Sequence, residues 1–222
     1  MKKIIIILIF INTLNLFSNE IVSINLYATT EDYLNKTHSY KNATAELIEK
    51  NNRYLRLGQL IDPKTGKKLK RPNRFSWMIE YEGQNYFNMG YIYDLPRWNL
   101  FVKFDIIGQR LGAIFMDREF QEVFLSTNLN SYGGGLTGVL LKEAEKWGGN
   151  WINKNNEKLR IIFVDFELIQ PKFQNRNKSS IGFFLSRGHL KMLLDLDIKR
   201  KDLKEIKFEE AVKLIQELNN AS

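Results

Sequence analysis

Residues 75–93 read FSWMIEYEGQNYFNMGYIY, two aromatic-rich runs around Glu82-Gly83-Gln84. Short runs rich in aromatic and β-branched residues, broken by a glycine turn, predict a β-hairpin. The pattern repeats at residues 98–117, WNLFVKFDIIGQRLGAIFMD, around Gly108. FQEVFLS, residues 120–126, offers one more strand. Consecutive hairpins at this spacing predict an antiparallel sheet. Trp77, Tyr86, Phe87, Trp98, Phe101 and Phe104 read as core and cross-strand packing rather than as a ligand platform.

Upstream, residues 20–27 alternate, with Val22, Ile24 and Leu26 on one wholly apolar face, as in a half-buried strand. Thr30 before Glu31 and Asp32 predicts a short capped helix. Residues 44–62 form a further hairpin around Asn51-Asn52. Pro63 and Gly66 in DPKTG mark a turn. Downstream, KLRIIFVDFELIQP, residues 158–171, reads as a strand that Pro171 ends, and residues 173–180 as a loop. Apolar spacing predicts helices over residues 136–147, from Ser186 onward, and over about 207–219. Strands in front and helices behind predict an α+β fold: an antiparallel, hairpin-rich sheet followed by helices packed on one face or end.

The N-terminus begins with Lys2 and Lys3, then an apolar run from Ile4 to Ile11 that Asn12, Thr13 and Asn15 interrupt. This is the pattern of a cleaved secretory signal, and the run is short for a spanning helix. The expected organisation is a signal peptide over 1–18 and a single domain over 19–222, β-rich over 20–170 with a helical tail over 186–220. An uncleaved signal would instead tether the chain to the membrane. No other segment is long enough to span a bilayer. Export to the periplasm or beyond is the expected location.

The absence of cysteine excludes disulfides, thiol nucleophiles, thiolate metal sites and lipidation at cysteine. A cysteine-free exported chain fits a bacterial envelope better than a small eukaryotic secreted domain. The net charge is +8, or +6 once Lys2 and Lys3 are removed. The lysines are dispersed; the one dense run, KTGKKLKR at 64–71, lacks the interleaved aromatics that stack on bases. No nucleic-acid partner is expected.

Gly133, Gly134 and Gly135 precede a predicted helix, and with Thr137 they are the candidate anion or ligand loop. The Walker lysine and hydroxyl are missing. Gly133-x-Gly135-x-x-Gly138 fits a dinucleotide fingerprint in its letters but follows a meander rather than a βαβ unit. A flexible connector is the competing reading. Asp165 and Glu167 share one face of a predicted strand and form the candidate acidic pair, with a solvent-facing role as the alternative. Ser186 and His189 read as helix-cap residues. No catalytic residue, metal site or cofactor is assigned, and no G-x-S-x-G elbow occurs.

TEDYLNKTHSY at 30–40, SWMIEYEGQNYFNMGY at 76–91, and LKMLL followed by FEEAVKLIQELN resemble a loose group of uncharacterised exported proteins from Bacteroidota. The resemblance covers about a third of the chain. It implies export, a β-rich body and a helical tail, and it carries no activity or functional residue.

These readings lead to a non-enzymatic exported protein that binds another envelope component or a ligand, with an exposed aromatic sheet face as its binding surface. A hydrolase of envelope glycans or phosphoesters is one alternative, requiring Asp165, Glu167 or His189 to converge with the glycine loop. A structural envelope protein without a small ligand is the other.

Overall fold

The computed structural model describes residues 20–68, 76–91, 99–121, 150–166, 182–193 and 205–220. The expected α+β fold, a sheet followed by packed helices, is overturned. The chain is mostly β: six antiparallel strands close into a barrel, and a second antiparallel sheet stands against it. The helices among the described residues are few and short.

The barrel uses β1 (Glu20–Tyr27), β2 (Tyr40–Lys50), β3 (Tyr54–Ile61), β4 (Met78–Tyr81), β5 (Gln84–Asn88) and β6 (Leu100–Lys103), in the order β1-β2-β3-β6-β5-β4. Closure comes from β1 pairing with β4 through Asn25↔Glu80, Leu26↔Ile79 and Tyr27↔Met78. The quoted hairpin is β4–β5. Its loop residues Glu82 (φ 50°) and Gly83 (φ 71°) are both left-handed, as a two-residue hairpin turn requires. The Asn51-Asn52 hairpin forms between β2 and β3. The DPKTG turn closes with the Gly66 amide on the Asp62 carbonyl at 2.9 Å.

Alternation assigns each barrel side chain to a layer. Val22, Ile24, Leu26, Leu47, Leu55, Leu57, Ile79, Tyr86 and Phe101 belong to one buried cluster, which fills the barrel interior. Their neighbours Tyr27, Tyr54, Met78, Phe87, Leu100 and Val102 point outward, yet they are buried too. They meet the second sheet, β7 (Ile106–Ile107), β8 (Leu111–Met116), β10 (Lys158–Asp165) and β11 (Gly182–Phe184), with β9 (Trp151–Ile152) pairing β10. Ile114, Met116, Ile162 and Val164 face the barrel. Leu111, Ala113, Ile161 and Phe163 face the opposite way, toward Ala211 and Ile215. The central strand β10 is therefore buried on both sides, which is why its sequence is nearly continuous in apolar residues rather than alternating.

Residues 98–117 read as one hairpin in sequence, but the chain changes sheet within them. β6 belongs to the barrel, while β7 and β8 pair in the second sheet. Phe104 and Asp105 make the crossing. The Phe104 ring lies over Gly112 of β8, where a β-carbon would come within 2.3 Å of its Cε1. Arg53, just before β3, bridges the two layers: it pairs with Asp117 at 2.6 Å, approaches Asp105 at 3.6 Å and donates to the Phe115 carbonyl. Residues 118–121 are helical rather than the start of a strand, with the Asp117 carboxylate accepting from the Phe120 amide at 2.7 Å.

Besides the helical residues 118–121 and a 3-10 turn at Met89–Tyr91, the described helices are α1 (Thr30–Leu34), α2 (Arg187–Leu193) and α3 (Phe208–Asn220). The cap of α1 is Thr29, one residue earlier than the sequence suggests, in a reciprocal capping box with Asp32. Thr30 instead donates to the Phe166 carbonyl at 2.7 Å, fixing α1 against the end of β10. Arg187 stacks over Trp151 at 4.5 Å and donates to the Asn150 and Ile206 carbonyls, tying α2 to the segments around it. Among the described residues no helix is long and apolar enough to cross a membrane.

Candidate functional site

Among the described residues, a cluster of buried apolar side chains occupies the barrel interior. A concave feature lies outside, between β7, the outermost strand of the second sheet among the described residues, and the last turns of α3. It is a cleft of about 580 Å³ lined by Ile106, Ile107, Gly108, Gln109, Gln216, Asn219 and Asn220. The helix supplies its wall by spacing: Gln216, Asn219 and Asn220 stand at i, i+3 and i+4 and so share one face. Ala211 and Ile215, on the adjoining face, anchor α3 in the core. Ile106 and Ile107 are half-buried and point to opposite faces of β7, Ile106 toward the α3 side and Ile107 toward the barrel.

The cleft's geometry depends on a close approach. The Asn219 side chain lies where a β-carbon of residue 108 would be, 2.3 Å from its Cγ, so glycine at 108 makes room for it. Asn219 Oδ1 accepts from the Leu111 amide at 3.2 Å, which fixes its orientation. From the other side, the Tyr33 hydroxyl of α1 donates to the Gly108 carbonyl at 3.2 Å. Burial holds that hydroxyl above the usual tyrosine range, so it stays a donor. None of the described lining residues is ionisable.

A second polar group lies at the rim of the barrel. Glu80 Oε2 accepts from the Tyr27 hydroxyl and meets His38 Nε2, each at 3.0 Å. The Tyr27 and His38 rings are in contact, with centroids 4.6 Å apart. Burial, then the hydrogen bond to Glu80, raises Tyr27 far above the usual tyrosine range. Among the described residues nothing holds the second histidine nitrogen, Nδ1. Ser39, next to His38, donates to Asp32 at 2.6 Å and accepts from the Ala28 amide, so its hydroxyl is engaged in the α1 turn. Tyr27 also meets Tyr33 edge-on at 5.8 Å, so packed rings connect this rim to the cleft.

The residues picked from sequence fall elsewhere. Gly133, Gly134, Gly135 and Thr137 lie outside the described residues, as do Glu167 and the helix expected over 136–147. Asp165 is the half-buried last residue of β10, opposite Leu111. Ser186 and His189 cap α2 reciprocally, the hydroxyl accepting from the His189 amide at 3.2 Å and the ring nitrogen Nδ1 from the Ser186 amide at 3.4 Å. Trp77, Phe87 and Phe101 are fully buried, as their reading as core expects, so they supply no exposed aromatic sheet face. Among the described residues no three histidine, aspartate or glutamate side chains gather to hold a metal ion. Neither Gln216 and Asn219 nor the pairing of His38 with Glu80 carries a motif. The only available signal was the i, i+3, i+4 carboxamides at the end of an amphipathic helix. No family model, curated protein or solved structure matches the chain.

Proposed function

We propose that the chain is an exported envelope protein that binds a ligand without transforming it. Its leader-like N-terminus supports export. The observation that carries the binding reading is the uncharged, carboxamide-lined cleft held on the outside of a filled barrel. Carboxamides donate and accept hydrogen bonds at neutral pH but are poor proton-transfer groups, so they recognise rather than catalyse. The test is a thermal-shift screen of the protein as the cell processes it, against phosphates, nucleotides, divalent metals, acidic and neutral glycans and peptidoglycan fragments. A ligand of the native state raises Tm by mass action. The expected result is a shift with one ligand class and no turnover of it. Turnover, or no shift with any compound, refutes the reading.

A second reading, a hydrolase of envelope glycans or phosphoesters, is favoured by one feature. Glu80 orients His38 through Nε2, and none of the described residues holds Nδ1, the arrangement of a base with its orienting carboxylate. If it is right, His38→Gln abolishes hydrolysis of a glycan or phosphoester substrate while leaving Tm nearly unchanged.

A further inference from the structure

The cleft between β7 and α3 has a composition that selects its occupant. We propose that it binds a neutral polyhydroxylated ligand, a stretch of uncharged glycan chain. This rests on the binding-protein reading and names the ligand class for its site.

The first reason is hydrogen-bond chemistry. Gln109, Gln216 and Asn220 each present a carbonyl acceptor and an NH2 donor, while Asn219 is held in place by the Leu111 amide. A sugar hydroxyl also donates and accepts, so one carboxamide can satisfy both functions of one hydroxyl or bridge two. The second reason is charge. The chain is strongly basic, at +8, yet none of the described residues lining this cleft is a cation. An anionic ligand would lose hydration on entering and gain no counter-charge, a costly exchange. The third is apolar surface: Ile106, the β7 side chain on the α3 side, offers a patch for the C–H face of a sugar ring. The fourth is rigidity. Asn219 is held by the Leu111 amide and the Gly108 carbonyl by Tyr33, so the walls are set before a ligand arrives. The volume, about 580 Å³, lies within the usual range of small-ligand sites.

An extended peptide added to the β7 edge is the competing occupant. The edge is two residues long, Ile106–Ile107, and the next carbonyl, that of Gly108, is already bonded to Tyr33. Strand addition draws its affinity from a run of main-chain hydrogen bonds, which so short an edge cannot supply.

The experiment is an NMR titration of the 15N-labelled processed protein, read at the side-chain amides of Gln109, Gln216, Asn219 and Asn220. The probes are chitotriose, cellotriose and maltotriose as neutral trisaccharides, trigalacturonate as the acidic twin, and an extended Val-Thr tetrapeptide. At least one neutral trisaccharide is expected to shift these four amides with a Kd on the order of 1 mM or tighter. Gln109→Ala and Gln216→Ala, on the cleft surface, are expected to weaken that binding by about 10-fold each, roughly the loss of one good hydrogen bond. Equal or stronger binding of trigalacturonate overturns the proposal, as does a peptide that shifts the β7 amides instead. Sugar-induced shifts confined to the His38 rim overturn the cleft assignment and leave the binding-protein reading standing. Silence with all three neutral trisaccharides overturns the proposal, and the broader thermal-shift screen then decides whether the binding reading falls with it.

Discussion

The substitution Gly112→Ala tests how the two β layers are joined. Gly112 does not have positive φ, so the backbone itself tolerates alanine. What forbids it is Phe104: a β-carbon would lie 2.3 Å from Cε1, 2.7 Å from Cδ1 and 3.2 Å from Cζ. The ring cannot simply turn away. It is 6% exposed, and it packs edge-on against Phe87 at 5.8 Å and Phe166 at 6.3 Å. Overpacking of this kind costs about 1–3 kcal/mol. The lower entropy of an unfolded alanine chain offsets about 0.4–1 kcal/mol of that. The net expectation is a loss of about 1–2 kcal/mol, or roughly 2–8 °C in Tm for a chain of this size. Differential scanning calorimetry of Gly112→Ala, Phe104→Leu and the double variant provides the assay. Leucine lacks the far edge of the ring, so the alanine penalty should shrink in the Phe104→Leu background, giving a coupling of about 1 kcal/mol. An unchanged Tm for Gly112→Ala, or additive losses in the double variant, refutes this account of the sheet crossing.

Other consequences follow from particular groups. Burial raises the Asp105 carboxyl above its ordinary value of 3.8, although the Phe115 amide and Arg53 pull it down. The folded state therefore holds that proton more tightly than the unfolded chain, and Asp105 makes stability fall as pH climbs from about 3.8 through the raised value. Asp105→Asn should remove this fall in urea titrations between pH 4 and 7, with Arg53 still paired to Asp117. Burial raises Tyr27, Tyr33, Tyr81, Tyr86 and Tyr91, and it pushes Tyr54 up to about 12. Alkaline titration at 295 nm should thus show most tyrosinate appearing together with unfolding rather than near pH 10; independent titration of all the tyrosines near 10 would contradict the burial described. Glu82→Asn places a residue that tolerates left-handed φ in the β4–β5 turn but removes an exposed ion pair with Lys50. It should raise Tm, and more clearly at high salt, where that pair is screened.

The strands were legible because their signals are local. Val22, Ile24 and Leu26 alternate, and Glu82-Gly83 marks its turn. Closure was not, because it depends on Asn25 meeting Glu80 across more than fifty residues of chain, and no local pattern encodes that pairing. The same limit hid the second sheet: a residue buried between two layers looks no different from one buried in a single sheet. Tyr86 and Phe87 are adjacent and both buried, one in the barrel interior and the other against the second sheet, and a single-sheet reading leaves Phe87 exposed. Ser186 was legible as a cap, whereas Thr29 lost to Thr30 because both are threonines before the same acidic pair. The cleft could not be found in sequence. Its two walls, residues 106–109 and 216–220, are about a hundred positions apart, and carboxamides carry no signature spacing of their own.

Amide hydrogen exchange across the β1–β4 ladder bears most directly on the closed barrel. In a closed barrel, the inward-bonded amides over Asn25–Tyr27 and Met78–Glu80 are shielded on both sides. They should then exchange as slowly as the β1–β2 ladder amides over Ile21–Ile24. In an open sheet both β1 and β4 would be edge strands, and those amides would exchange orders of magnitude faster than the rest of the sheet. Slow exchange throughout supports the closed barrel; fast exchange confined to these two stretches contradicts it.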